Sequence, residues 1–303
     1  MVLSKGEKGY QIFINIFMML VTIIMVAPFI LLFMCSITDE NTLINNGYSF
    51  FPAKFGITAY AYIWNSRATI FRAYGLTILV TIIGTICSVL LAALISYPLS
   101  LKNLPGRNFF NFYVFFTMLF NGGLVPAYIM WTSYFHIKNT IFAYLLPNLL
   151  LSAFNIILVR TFFMTSIPDA LYEAARIDGA SYMRIFFQIV LPLGKPILVT
   201  IGLFSGLGFW NDWNNGLYYV SRSEMFTIQV LLNRMIQDIQ ALASNQNATG
   251  NAVLNLPTVS IRMAIAFVAI LPILVIYPFL QKYFASGIAL GAVKGRSEER
   301  RVG

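Results

Sequence analysis

The run Trp210-Asn211-Asp212-Trp213-Asn214-Asn215 sets two indoles among one carboxylate and three amides. Indoles cover the apolar faces of sugar rings while carboxylates and amides answer hydroxyls, so these residue types suit a carbohydrate path. The same types also build the aromatic belt at the polar end of a membrane helix. A second candidate is Asn121, followed by Gly122, Gly123 and Pro126 inside an apolar run. A bilayer tolerates such a break only where the freed backbone meets protein or a water-filled path, although small residues also serve close helix packing. Nucleotide hydrolysis finds no residues here: around Gly194-Lys195, Ile189 stands where a phosphate loop needs its first glycine and Pro196 where it needs Ser or Thr. With one histidine, His136, and no HExxH, GxSxG or Cys-His pairing, the chain offers neither a catalytic constellation nor a metal site, and no cofactor is expected within it.

The stretch Asp169 to Pro196 is the long polar break between apolar segments that reads as structured. Pro168 suits the first position of a helix, Asp169 and Glu173 favour its positive N-terminal end, and Gly179 suits a left-handed stop. Leu171, Ala174, Ala175 and Asp178 fall on one side of that helix, where two alanines let another protein's backbone come close, which predicts a docking face. Ser181 is placed to cap a second helix through Met183 and Phe187, which Pro192 and Pro196 should break.

Membrane spans must position these groups. Of 303 residues 58% are hydrophobic and 10% charged, whereas soluble domains carry about a quarter charged residues, so a soluble globular domain is excluded. The net charge of +9 is scattered singly through loops and makes no nucleic-acid stripe. Roughly twenty apolar residues cross the hydrocarbon layer. Runs at about 11–34, 74–97, 109–131, 141–163, 196–214 and 260–282 meet that length. The fold class expected is all-α: a polytopic membrane protein with six transmembrane helices, forming one transmembrane domain over 1–295. The first run lacks a cleavage site and reads as a retained anchor. Lys and Arg are concentrated on the side holding both termini, including Lys5, Lys8, Lys102, Arg107, Arg176 and Arg184, which places the termini and 165–195 in the cytoplasm. The span cores contain no Asp, Glu, Lys or Arg, which argues against the alternative, half of an ion-coupled secondary carrier, and puts the energy source outside the membrane.

Glu173-Ala174-Ala175, Gly179, Ile189, Leu191 and Pro192 reproduce the pattern EAA-x3-G-x9-I-x-LP, and through it the chain resembles the permeases of ABC importers. By FNGGLVPAY (120–128), WNDWNNGLYY (210–219), the run 262–284 and GIALGAVKG (287–295) it is similar to carbohydrate permeases of the maltose G-subunit type, in the branch called LplC or YtcP. The resemblance implies a bacterial cell-membrane protein with a cytoplasmic EAA coupling helix. Glu173, Ala174, Ala175, Asp178, Gly179 and Pro192 would then serve the ATPase contact. It also implies a homologous second permease, two ATP-binding subunits that hold ATP and magnesium, an extracellular solute-binding protein, and an oligosaccharide passing Asn121 and Trp210 to Asn214.

The remaining segments are read more simply. Loop 35–73, with Phe51-Pro52, Tyr60, Tyr62 and Trp64, is expected to lie along the outer interface as a short amphipathic segment. Segment 217–257 is polar and external, with SNQNATGN (244–251) as a flexible loop. Cys35 and Cys87 are packing residues rather than a disulfide. The ending RSEERRVG (296–303) departs from the composition before it and reads as a frayed or foreign tail.

Overall fold

The computed structural model describes residues 5–244 and 259–275, and the regular structure among them is helical. In chain order the helices are α1 (Lys5–Ser36), α2 (Glu40–Asn46), α3 (Thr58–Asn65), α4 (Arg67–Ser100), α5 (Arg107–Leu119), α6 (Leu124–Tyr134), α7 (Phe142–Leu145), α8 (Ala153–Ser166), α9 (Asp169–Ile177), α10 (Tyr182–Leu193), α11 (Lys195–Trp210), α12 (Asn214–Tyr219), α13 (Ile228–Ser244) and α14 (Val259–Val275). By contact they fall into two units, 5–70 with 232–244 and 259–273, and 71–231 with 274–275. The tail 296–303 and most of 244–251 lie outside the described residues.

In the first unit, α1 is apolar around its whole circumference, and none of its most apolar window is buried within the chain. A helix of that kind faces lipid or another chain. The loop after it is pinned by Asp39 N–H donating to the Lys54 carbonyl (2.9 Å), Gly56 N–H to the Ile37 carbonyl (2.9 Å), and a Ser36–Tyr60 hydroxyl pair at 2.8 Å. It holds α2 and α3 with Phe51 and Trp64 exposed. The Glu40 carboxylate accepts from the N–H groups of Val259 and Ser260, both at 2.8 Å, and from the Ser260 hydroxyl at 2.7 Å. It therefore caps α14 from a distant part of the sequence, where a negative charge also meets the positive helix end.

The second unit is strung along α4, whose 34 residues measure about 51 Å, well beyond the ~30 Å hydrocarbon layer. Two apolar cores lie along it. Ala92, Ala93 and Tyr97 pack with Val159, Phe163, Tyr172, Phe186 and Ile201, and farther up Val80 packs with Tyr144, Phe209, Tyr219 and Val230. Between the cores α4 and α11 touch closely: a Cβ on Gly84 would stand 2.5 Å from the Phe209 ring, so only glycine allows this approach. Ser88 and Ser205 hydroxyls lie 3.2 Å apart, and the buried Asn155 amide donates to Ser205 at 3.2 Å, joining α4, α11 and α8 by a polar link.

Two expected spans are altered, and a third is broken where the sequence placed a break. Run 141–163 is not one helix, because the chain turns at 146–152 between α7 and α8. Pro147 has no N–H to donate, Asn148 takes a left-handed φ of 63°, and Ser152 accepts from Asn155 N–H to start α8 afresh. Run 196–214 ends at Trp210. Run 109–131 is interrupted at 120–123 as expected, and α5 and α6 meet there at 109°. Segment 217–257 holds more order than a polar loop, since α13 is a helix of 17 residues whose Ile228, Val230, Leu231 and Leu232 are buried. By length and composition the described helices supply two spans, or up to five when each bent pair counts as one, with α14 a shorter apolar helix besides.

Candidate functional site

The polar break folds as an elbow. Pro168 is the N-cap of α9, one residue before the position expected, with extended ψ of 139°. Asp169 in the first turn suits the helix dipole and pairs with Lys102 Nζ at 2.5 Å, both side chains being exposed. Gly179 takes φ +73°, the left-handed stop expected of it. Asp178, Gly179 and Ala180 N–H groups then donate to the carbonyls of Ala174, Arg176 and Ala175 at 3.0, 3.0 and 2.9 Å, closing the helix end. Ser181 Oγ accepts from Arg184 N–H at 3.3 Å as the cap of α10. Arg184 Nε donates to Gln188 at 3.1 Å, and the Arg176 guanidinium sits 5.3 Å from the Tyr182 ring centre.

Two expectations about the elbow are corrected. Ala175 does not share the outward face with Leu171, Ala174 and Asp178: it is buried beside Tyr172, which packs against Tyr97 at 6.3 Å. Residues three apart share a side, and this pair is the apolar underside that fastens α9 to its own core. Burial pushes the Tyr172 phenol up to about 12, so it stays neutral. The outward side carries Leu171, Glu173, Ala174, Ile177 and Asp178, with Ile177 86% exposed. Nor does Pro192 break α10. The missing proline N–H is accommodated by a wide π turn over Phe186–Val190, and the helix runs on to Leu193. The break is Gly194, where α10 and α11 meet at 79° and a Cβ would stand 2.6 Å from the Phe163 ring. Asp178, Ala180, Arg184 and Gln188 help line a notch of about 230 Å³ in the elbow.

The other end of α11 carries the aromatic-polar cluster. Trp210 is buried, 6.4 Å from Tyr74 by ring centres, and its indole N–H has no partner among the described residues. Asp212 Oδ1 accepts from Asn215 N–H at 3.2 Å, while its Oδ2 is buried without a hydrogen bond among the described residues. Asn211, Trp213 and Asn214 are exposed. Asn121 stands apart, at the α5–α6 break, where its Oδ1 accepts from Gly123 N–H at 2.9 Å. Nothing brings it to the 210–215 cluster.

Supporting residues went unread in the sequence. Asn139, at φ +59°, accepts from Ser221 and Arg222 N–H groups at 2.7 and 3.1 Å. Tyr144 donates to the Met225 carbonyl at 2.8 Å, and Asn215 Nδ2 to the Pro147 carbonyl at 3.0 Å. The signal for Asn139 was a turn-prone asparagine between Lys138 and Thr140, and for Asn155 an amide inside an apolar run that a search for ionisable groups passes over.

Residues 76–290 match the family described as "Binding-protein-dependent transport system inner membrane component". The chain belongs to this family. The permease is 35% identical to Protein LplC of Bacillus subtilis (strain 168) over 292 residues, 96% of this chain and 97% of that one. It is 36% identical to the Polygalacturonan/rhamnogalacturonan transport system permease protein YtcP of the same organism, over 95% of this chain and 99% of that one. A crystal structure of a bacterial ABC transporter involved in the import of the acidic polysaccharide alginate matches with a TM-score of 0.76 at 27% identity, covering 94% of this chain and 99% of that chain. The permease is thus a multi-pass membrane subunit of an ABC importer, with the fold of that class, and not half of an ion-coupled carrier.

Proposed function

We propose that this permease forms half of the translocation path of an ATP-driven importer for oligosaccharides, and that the elbow takes the thrust of an ATPase subunit. The observation that carries this reading is the two-sided α9: its underside is buried in the core of its own chain, while Leu171, Glu173, Ala174 and Ile177 stand outward beside a rigid left-handed turn. In this reading Glu173 meets an Arg or Lys of the ATPase, Asp178 edges the same contact, Gly179 sets the angle between α9 and α10, and Pro192 stands at the far end of α10 beside the Gly194 bend. Ala175 fastens the elbow from beneath.

Six spans fit the chain to 295 as one transmembrane domain: α1, α4, the bent α5–α6, α7 with α8, α11, and the apolar run 260–282 that begins within α14. Both termini and the elbow are then cytoplasmic. A homologous second permease lies alongside, two ATPase subunits hold ATP and magnesium, and a solute-binding protein delivers sugar from outside. Trp210 and Asp212 support a sugar-facing role because each leaves one buried polar atom unmet among the described residues, a donor and an acceptor of the kind hydroxyls satisfy. The names of YtcP and of the alginate importer support a polysaccharide-derived substrate.

The test is a proteoliposome holding both permeases, the ATPases and the binding protein, assayed for sugar-stimulated ATP hydrolysis and uptake. A single cysteine at Ala180 should resist an impermeant thiol reagent in intact cells and react after permeabilisation. Ready labelling in intact cells would overturn the topology.

A further inference from the structure

Arg107 opens α5 and Arg160 lies in α8, and the Nε of each donates to the same acceptor, the Leu99 carbonyl, at 3.2 and 3.1 Å. Two guanidinium groups are therefore held side by side. Arg107 also reaches the Met164 sulfur at 3.2 Å, and neither arginine has a carboxylate partner among the described residues. The nearby Asp169 is already taken by Lys102. Both arginines are partly exposed. A third source of positive potential adjoins them, because the N-cap of α5 is Gly106, which has no side chain to cap the helix end.

Directly behind the pair runs an apolar groove of about 690 Å³ between α4, α5 and α8, lined by Leu94, Pro98, Leu104, Phe110, Val114 and Ile156 among others. Leu99, whose carbonyl holds both arginines, also lines it. Phe110 lies one turn beyond Arg107 and Ile156 one turn before Arg160, so the charges stand at the mouth of the groove rather than elsewhere on the surface. Two cations held side by side with no carboxylate among the described residues ask for a phosphate, and an apolar trough beginning at that phosphate asks for a hydrocarbon tail.

We propose that Arg107, Arg160 and this groove bind one anionic phospholipid, the headgroup phosphate between the guanidiniums and an acyl chain along the groove. Charge complementarity selects the occupant: a second protein helix would fill the trough and leave the arginines unmet. The site lies where α8 approaches the elbow, so the lipid braces the fixed side of the joint.

The assembled transporter in detergent, titrated with dioleoyl phosphatidylglycerol against dioleoyl phosphatidylcholine and read by native mass spectrometry, tests this. Wild type should retain the anionic lipid with about tenfold preference, and R107Q/R160Q should lose that preference. R107K/R160K, which keeps both charges, should stay within about threefold of wild type, and it covers the case in which the glutamine pair fails to assemble. Thr117→Trp, which narrows the groove, should weaken dioleoyl but not dihexanoyl phosphatidylglycerol. A glutamine pair with wild-type preference overturns the site, and so does an assembled lysine pair without it. Equal retention of long and short chains by wild type, or displacement by inorganic phosphate, overturns the lipid assignment in favour of a plain anion site.

Discussion

The elbow and the aromatic-polar cluster occupy opposite ends of α11, and they differ in what they leave outward. In the elbow, Ser181 is met by Arg184 N–H, Arg184 by Gln188 and Asp169 by Lys102, while Tyr172 and Ala175 are driven into the core. What remains outward is a finished surface. At the other end the Trp210 indole N–H and one Asp212 carboxylate oxygen are buried with no hydrogen bond among the described residues, as is the Tyr172 hydroxyl beneath the elbow. Each such atom costs on the order of 1–3 kcal/mol unless something outside the chain completes it. In the proposed function, the outward side of the elbow is a surface completed in advance for a protein partner, whereas the Trp210–Asp212 end offers hydrogen-bonding atoms to a passing hydroxylated solute.

The largest expected effect breaks the elbow side of this comparison. Glu173→Ala removes the one carboxylate on the outward face near the middle of α9, and Gly179→Asp forces a side chain into φ +73°, at about 1–2 kcal/mol, re-aiming α10. Both should insert, with Glu173→Ala melting like wild type and Gly179→Asp less stable by no more than about 1–2 kcal/mol, yet both should abolish uptake, through weakened ATPase docking or hydrolysis no longer linked to sugar. If both keep wild-type sugar-stimulated ATPase and uptake, the elbow is a solvated loop.

The next prediction separates two tryptophans that sequence places together. Trp210→Ala should destabilise the purified complex by about 3 kcal/mol, the scale for emptying a buried tryptophan site, seen as a lowered melting temperature. Trp213→Ala, exposed, should leave melting unchanged and lower uptake only. Equal melting for the two would erase the buried character of the cluster. A smaller effect is expected between the two ends: Ser205→Ala strips Asn155 of its acceptor and Ser88 of its partner, costing about 1–2 kcal/mol of thermal stability. The smallest is Lys102→Ala. Its pair with Asp169 is exposed, so melting should shift by less than about 0.5 kcal/mol and the shift should vanish in high salt.

Legibility followed the range of the forces involved. Gly179, Ser181 and the break at 120–123 obey local rules of backbone and cap, and each stands where those rules place it. Ala175 misled because helical spacing states which residues share a side but not which side meets the core, and Tyr172 decided that through Tyr97, distant in sequence. Pro192 misled because a π turn absorbs a proline that a regular α-helix cannot. The helix α13 was hidden by averaging: Gln229, Asn233 and Gln237 make its segment polar overall, although Ile228, Val230, Leu231 and Leu232 mark a buried side. The turn at Pro147-Asn148 was available to local rules and was overridden by the hydropathy of the residues around it.

The bend at Gly194 gives the molecule a mechanical gain. The joint has no slack, since a Cβ there would press the Phe163 ring at 2.6 Å and the Val190 carbonyl at 2.8 Å. Beyond it α11 is a straight arm of 16 residues, about 24 Å long. A tilt of about 10° at its foot carries Trp210 sideways by about 4 Å, more than the width of a water molecule. In the proposed coupling, a small angular stroke at the elbow would become a displacement at the Trp210 end large enough to open or shut a passage.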